Sequence, residues 1–382
     1  MNILMLLSNP FTNDARVYNE ASSLIQAGHK ITVIAWDRAK NNTKSQTLAG
    51  INVARVRTCL PARWGLASWP WHFFHLLSWE WQAYRQALKI NKKIPFDVIH
   101  CHDLDTLSAG VALKHKLGLP LIYDAHEIYG YMAAGVVPQW VGHTLLEVER
   151  SLVRRADAVI TVSEAVRRYL GSITDHPISV VMNCKQLPEL EYKVPSRQDT
   201  FTILYIGLLD KTRSLFQLIN AVGALSNVRC LIGGFGRPDF IEDIRNECAR
   251  RKNITFLGLV PLEEVLPITA KSDCIFLMLD PGHPYAGIAL GNKQFEAMAC
   301  GRPIICTRGT YSGELTEQEN VGLAIDYSEE VLKQAIIKLR DDPKLREKMG
   351  RNALRAARTK YNWKAQEKVL LKLYKDIRQS RD

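Results

Sequence analysis

Short apolar runs alternate with stretches of helical period along most of the chain. Ile3–Ser8 is an apolar run of strand length. Ala15–Ala27 follows with apolar residues at helical spacing and stops at Gly28, and Lys30–Ala35 is strand-like again. Asp97–Cys101, Pro120–Asp124 and Ala158–Val162 repeat the pattern, with helical stretches between them. Apolar strands alternating with helices predict a parallel sheet covered on both faces. Residues 185–200, KQLPELEYKVPSRQDT, interrupt the rhythm: they are polar, hold two prolines and show no period, which reads as a linker. A second cycle then begins, with strands expected at Phe201–Ile206, Val228–Ile232, Ile254–Leu257, Cys274–Leu279 and Pro303–Cys306. The segment from Trp363 to about Arg378 has the pattern of an amphipathic helix. The predicted fold class is α/β, with two Rossmann-like domains whose parallel sheets face each other across a cleft. The first domain is expected at 1–185, the linker at 186–199 and the second domain at 200–362. Residues 363–382 are free to cross back and complete the first. Ligands of such sheets bind beyond the carboxyl ends of the strands, which places the expected active site in the cleft.

The 382 residues suffice for two cores, and 47% hydrophobic with 23% charged residues is a globular composition. No apolar run reaches the 18 residues of a membrane span, and the first residues read as a strand, not a signal peptide. A cytoplasmic protein is expected. The eight cysteines form no C-x-x-C pair and mostly lie in apolar runs, so buried free thiols are expected. The net charge of +11 is uneven: Arg38 to Lys93 holds ten basic residues against one acid, Glu80. Such a balance suits nucleic acid, an anionic membrane or a phosphorylated substrate, and charge alone does not choose.

The run 287–303, GIALGNKQFEAMACGRP, carries the most chemistry. A glycine precedes a helix with Lys293 in its first turn and Glu296 about one turn in. The helix stops at Gly301 with Pro303 beyond it. A loop–helix junction of this kind offers free N–H groups and a positive dipole end to an anion, and Glu296 suits the hydroxyls of a ribose. Spacing alone reads equally as a buried helix with an ordinary cap.

With these pieces in place the chain resembles glycosyltransferase family 4, of the two-domain type called GT-B. The resemblance runs through Asp14-Ala-Arg16-Val17 with Glu20-Ala21 and Gly28-His29, then Asp97-Val-Ile-His100-Cys-His102-Asp103 and Tyr123-Asp124-Ala-His126-Glu127. It continues through Ala156–Ser163, Val181-Met-Asn183, Tyr205-Ile-Gly207-Leu, Gly233-Gly234-Phe-Gly236 and Phe256-Leu-Gly258. It implies a retaining transferase that moves a sugar from a nucleotide-diphosphate donor, held by the C-terminal domain, to a lipid-linked or polysaccharide acceptor held by the N-terminal domain. By position, Glu296 binds the ribose and the amides of Gly291, Asn292 and Lys293 cradle the pyrophosphate. Arg213 stands where members carry a phosphate-binding cation, and Gly207 and Gly234 border the donor. Asp14, Arg16 and His102 belong to the acceptor side. His126, at a strand's carboxyl end, is implied to bond the sugar or the leaving phosphate, with a structural histidine as the alternative.

The chain departs from the family at Ile288, where many members have a sugar-binding glutamate; His283 and Tyr285 are the nearby substitutes. Leu208 replaces a common arginine, for which Lys211 is the candidate replacement, and Ser214 replaces a common glycine. The loop Ser8-Asn9-Pro10-Phe11-Thr12-Asn13 lacks the usual glycine pair. No cofactor or metal is expected. Consecutive residues at His100–Asp103 alternate in direction and no second cluster is visible to complete a metal site. Amides, a helix dipole and basic side chains are expected to carry the leaving diphosphate instead. A sugar-nucleotide epimerase and a catalytically silent binding subunit are the alternatives.

Residues 61–86 hold five of the eight tryptophans, among them Trp64, Trp69 and Trp71, inside the basic region. Tryptophan favours sites with one apolar and one wet side. The stretch is read as a surface for anionic lipid that receives the acceptor, against core packing of a helix pair as the alternative. No nucleic-acid module is visible.

Overall fold

The computed structural model describes residues 1–12, 14–58, 69–133, 137–184 and 200–380. Trp64 and the 186–199 linker therefore lie outside the described residues. The chain forms two compact units, Met1–Asn183 with Gln366–Asp382, and Cys184–Ala365.

In the first unit the strands are β1 (Asn2–Leu7), β2 (Lys30–Trp36), β3 (Ser45–Leu48), β4 (Ile51–Val56), β5 (Val98–His102), β6 (Leu121–Ala125), β7 (Ala158–Thr161) and β8 (Ile178–Val180). They form one sheet in the order β3-β4-β2-β1-β5-β6-β7-β8. All neighbours pair parallel except β3 with β4. β5 and β6 are buried throughout, as expected of strands covered on both faces. The order reverses between β2-β1 and β5, which makes the carboxyl ends of β1 and β5 the switch point where ligands bind. The opening helix, Ala15–Gln26, starts there because the Asp14 side chain accepts from the Val17 amide. It stops before Gly28, whose φ of +86° suits glycine. The C-terminal helix, Trp363–Gln379, belongs to this unit from Gln366 onward, and the Gln366 side chain accepts from the Met182 amide at 2.9 Å.

The second unit holds β9 (Phe201–Leu209), β10 (Val228–Gly236), β11 (Ile254–Gly258), β12 (Cys274–Leu277), β13 (Ile304–Thr307) and β14 (Gly322–Ile325). These form a parallel sheet in the order β11-β10-β9-β12-β13-β14, reversing between β9 and β12. β9 and β10 run three and four residues past their expected ends, because Gly207 and Gly234 continue the ladder. A Cβ on Gly234 would collide with the Gly207 carbonyl oxygen, so close strand approach accounts for glycine there. The edge strands β3, β8 and β14 carry no pattern that the sequence reading recognised. Three or four residues are too few to display a period. The seven described cysteines are all buried free thiols.

Candidate active site

In the second unit the site grows from the switch point. The helix Asn292–Ala299 starts at Gly291, which has open space around it, and ends before Gly301 at φ +63°. The amides of Asn292 and Lys293 have no preceding turn to bond to, while the Gln294 amide donates to the Gly291 carbonyl at 3.1 Å. Lys293 reaches back so far over β9 that a Cβ on Gly207 would strike its Cε. Its ammonium donates to the Tyr205 hydroxyl at 3.1 Å and lies 4.2 Å from that ring's centre, while the hydroxyl donates to the Leu208 carbonyl. Burial, and then repulsion by Arg213, push the Lys293 amine down to about 7, with Glu296 opposing. The Arg213 Nε is buried with no hydrogen-bond partner. Arg213 ends a 3-10 turn, Lys211–Arg213, that Asp210 caps at 2.8 Å, and Ser214 follows at φ +53°. Ser214 thus adopts a backbone that glycine takes more easily. Phe11, in the first loop of the other unit, does the same at φ +53°.

Arg213, Lys293, Tyr205, Tyr285 and Gly291 line a cavity of about 70 Å³, and no carboxylate is among its lining residues. Glu296 is buried one turn along the helix from Lys293. Lys211 is exposed and lies outside the lining. The His283 ring accepts from the Tyr285 amide at 3.2 Å, capping a short 3-10 turn. Ile288 is half-buried at that turn's end.

In the first unit the residues at the ends of β5 and β6 converge. His102 lies across from Asp124 in the ladder. The Oδ2 of Asp124 is 2.6 Å from Nε2 of His126, 3.0 Å from Nδ1 of His102 and 3.6 Å from Nε2 of His100. His100 and His102, two apart on one strand, share a face and stack with centroids 4.3 Å apart. Tyr374 of the C-terminal helix meets Nδ1 of His100 at 2.7 Å. Burial works to raise the Asp124 carboxyl, but His126 and hydrogen bonds from the three imidazoles hold it well below the usual range. Burial, with repulsion by Asp124, drives Glu20 well above it. Burial and His100 push His102 down to about 3. Glu20, His102, Asp124 and His126 each bring one ligand-type atom within 4.8 Å of the others, a composition that a metal ion also accepts. The 2.6 and 3.0 Å contacts to one carboxylate oxygen are proton-sharing distances, and they define a hydrogen-bonded hub. Beside it Arg16 pairs with Asp103 at 3.3 Å and Asp14 at 3.7 Å. Asp103 also accepts from the His126 amide, from a strained backbone at φ +66° and ψ 165°.

Two family models match in sequence: Glycosyltransferase Family 4 over residues 15–184 and Glycosyl transferases group 1 over 188–356. The chain is a glycosyltransferase of the GT-B fold. It is 25% identical over 381 residues to an uncharacterised glycosyltransferase of Methanocaldococcus jannaschii, covering 93% of this chain and 92% of the other. Its fold is similar to sucrose-phosphate synthase from Thermosynechococcus elongatus, with a TM-score of 0.82 at 18% identity and full coverage of both chains. It is also similar to HepE of Anabaena in complex with UDP, with a TM-score of 0.75 at 17% identity over 98% of this chain and 100% of that one.

The glycosyltransferase also divides its aromatic stretch between two environments. The helix Trp69–Asn91 buries Trp79, which stacks on Trp36 at 5.6 Å, and buries Glu80, which accepts from Ser108. Its other side exposes Phe73, Phe74 (52%), Leu77 and Trp81 (60%), and Trp71 is exposed near its start. Core packing and an exposed apolar face therefore both occur in one helix. No helix among the described residues is long and apolar enough to cross a membrane. Sequence reasoning missed Tyr205, Asp124, His100, Glu20 and Tyr374 as members of these sites. The i, i+2 spacing of His100 and His102 was the available signal.

Proposed function

We propose that this glycosyltransferase moves a sugar from a nucleotide-diphosphate donor, with retention of configuration, to a lipid-linked or polysaccharide acceptor. The observation that carries the donor half is the pairing of Lys293 with Arg213 at an acid-free cavity beside a helix N-terminus. Two cations that repel each other over a dipole's positive end are satisfied by a diphosphate. Glu296 bonds the ribose. The amides of residues 291–293, Lys293 and Arg213 stabilise the departing diphosphate without a metal ion, and that diphosphate helps deprotonate the acceptor on the same face of the sugar. HepE, whose structure holds UDP, supports a uridine nucleotide as the first donor to try.

The acceptor half rests on the first unit's Arg16, His102 and His126, and on the Trp69–Asn91 helix. Phe74, Leu77 and Trp81 follow one another at helical spacing on an exposed face. Arg85 and Lys89 lie farther along the helix, Lys92 and Lys93 follow it, and the region's one acid is buried. Aromatics with flanking cations suit the surface of an anionic bilayer, which presents lipid-linked acceptors from the cytoplasmic side. A thermal-shift screen of UDP, GDP, ADP and their sugars tests the donor site. Incubating the stabilising sugar nucleotide with membrane extract then tests transfer. Stabilisation by none of them overturns the donor reading. Binding without transfer marks a silent subunit, isomerised free donor marks an epimerase, and a product of inverted configuration refutes retention.

A further inference from the structure

We propose that Arg38 and Asp105 form a subsite for a neutral sugar unit of the acceptor, bridged by two adjacent hydroxyls of that unit. This rests on the transferase reading above. Three neighbouring strands, β2, β1 and β5, place the pair. Ser8 directly follows β1, Arg38 stands two residues beyond β2, and Asp105 lies in the first turn of the helix Leu104–Leu117 that follows β5. All three therefore sit beyond the carboxyl ends around the switch point. Arg38 and Asp105 approach each other there without bonding. Nη2 of Arg38 is 3.9 Å from Oδ2 of Asp105, beyond hydrogen-bond reach. Nε of Arg38 and Oδ1 of Asp105 are both buried, and neither has a hydrogen-bond partner in the protein. Leaving a buried donor and a buried acceptor unsatisfied side by side is costly, and a ligand that supplies both roles removes the cost.

The surroundings hold the gap open. The Arg38 guanidinium lies over the Trp36 ring, 4.4 Å from its centre, and Trp36 is in turn stacked on Trp79. Arg38 keeps 36% of its side chain exposed, so the pair is reached from solvent. Burial, and then Asp103, push the Asp105 carboxyl up to about 6, with Ser8, Arg38 and Tyr129 opposing. Above pH 7 it is therefore mostly ionised and only accepts hydrogen bonds. The two opposite charges decide what enters. A phosphate is drawn to Arg38 but repelled by Asp105, and an ammonium meets the reverse. A hydroxyl carries no charge and both donates and accepts. One hydroxyl of a sugar ring accepts from the guanidinium while its neighbour donates to Oδ1 of Asp105.

The test is saturation-transfer NMR on the full chain with UDP present to fill the donor cavity. The probes are the methyl glycosides of glucose, galactose, mannose and N-acetylglucosamine, with inorganic phosphate as competitor. We expect at least one glycoside to bind and phosphate to leave its signal unchanged. Arg38→Met keeps an apolar stem on Trp36 and removes the donors, and Asp105→Ala removes the acceptor. Each should weaken the glycoside by at least about 10-fold, with UDP affinity at the parent's value. Binding of no glycoside, displacement by phosphate, or full binding by folded Arg38→Met overturns the proposal; the half-exposed Arg38 carries the test if Asp105→Ala does not fold. A water that merely bridges the pair predicts variants of lower melting temperature with unchanged glycoside binding, which also overturns it. In transfer to membrane extract, Arg38→Met should raise the amount of extract needed for half-maximal rate by at least about 10-fold. The two readings fail separately. A parent that binds glycoside through Arg38 but transfers nothing sinks the transferase reading alone, and an active enzyme indifferent to Arg38→Met sinks only the subsite.

Discussion

Nucleotide binding should take up a proton, and Lys293 should be the group that receives it. In the free protein burial and Arg213 hold this amine at about 7, against 10.5 ordinarily. A diphosphate in the cavity adds opposite charge beside it and restores the protonated form. The sign follows: the anion binds the protonated state, so above pH 7 the free protein must gain a proton to bind. At pH 8 about one lysine in ten is charged beforehand, and uptake should be about 0.9 proton per nucleotide. Between pH 7 and 9 affinity should fall about 50-fold, roughly 2.3 kcal/mol. UDP is a clean probe because its terminal phosphate, with a second pKa of about 6, is already ionised above pH 7. Calorimetry in two buffers of different ionisation enthalpy measures the uptake, and Lys293→Met should abolish it. Uptake below about 0.2 proton at pH 8, or a flat affinity from pH 7 to 9, would refute the argument that Lys293 is desolvated and meets the diphosphate.

Glu296→Ala should weaken nucleotide binding by about 1.5–3 kcal/mol, or about 10- to 150-fold, by deleting a charged hydrogen-bond acceptor; unchanged affinity with the fold intact removes Glu296 from the ribose. Turnover should survive EDTA, since protein cations carry the diphosphate, and a loss that magnesium or manganese restores would overturn the metal-free cradle. Trp79→Ala should destabilise the fold by about 3–5 kcal/mol, whereas Phe74→Ser with Trp81→Ser should leave the melting temperature nearly unchanged. That exposed pair should nevertheless abolish flotation with anionic vesicles at low salt, and flotation as strong as the parent's would exclude this face as the lipid contact.

The chain's own order of residues determined the two α/β cycles, the polar break between them and the cap at Gly301. These depend on local periodicity and on glycine and proline at fixed offsets, and such signals survive without any partner. Lys293 and Glu296 were legible because one helix turn places them together. Only the tertiary structure decided what those groups meet. Tyr205 joins Lys293 from 88 positions away, and Tyr374 joins His100 from 274 away. The strand order brings β5 beside β6, so His100, His102 and His126 surround one oxygen of Asp124, although the sequence offered only two separate strand ends. The tryptophan-rich helix divides for the same reason. Composition counts aromatic residues, but which of them faces Trp36 and which faces solvent depends on the sheet the helix packs against.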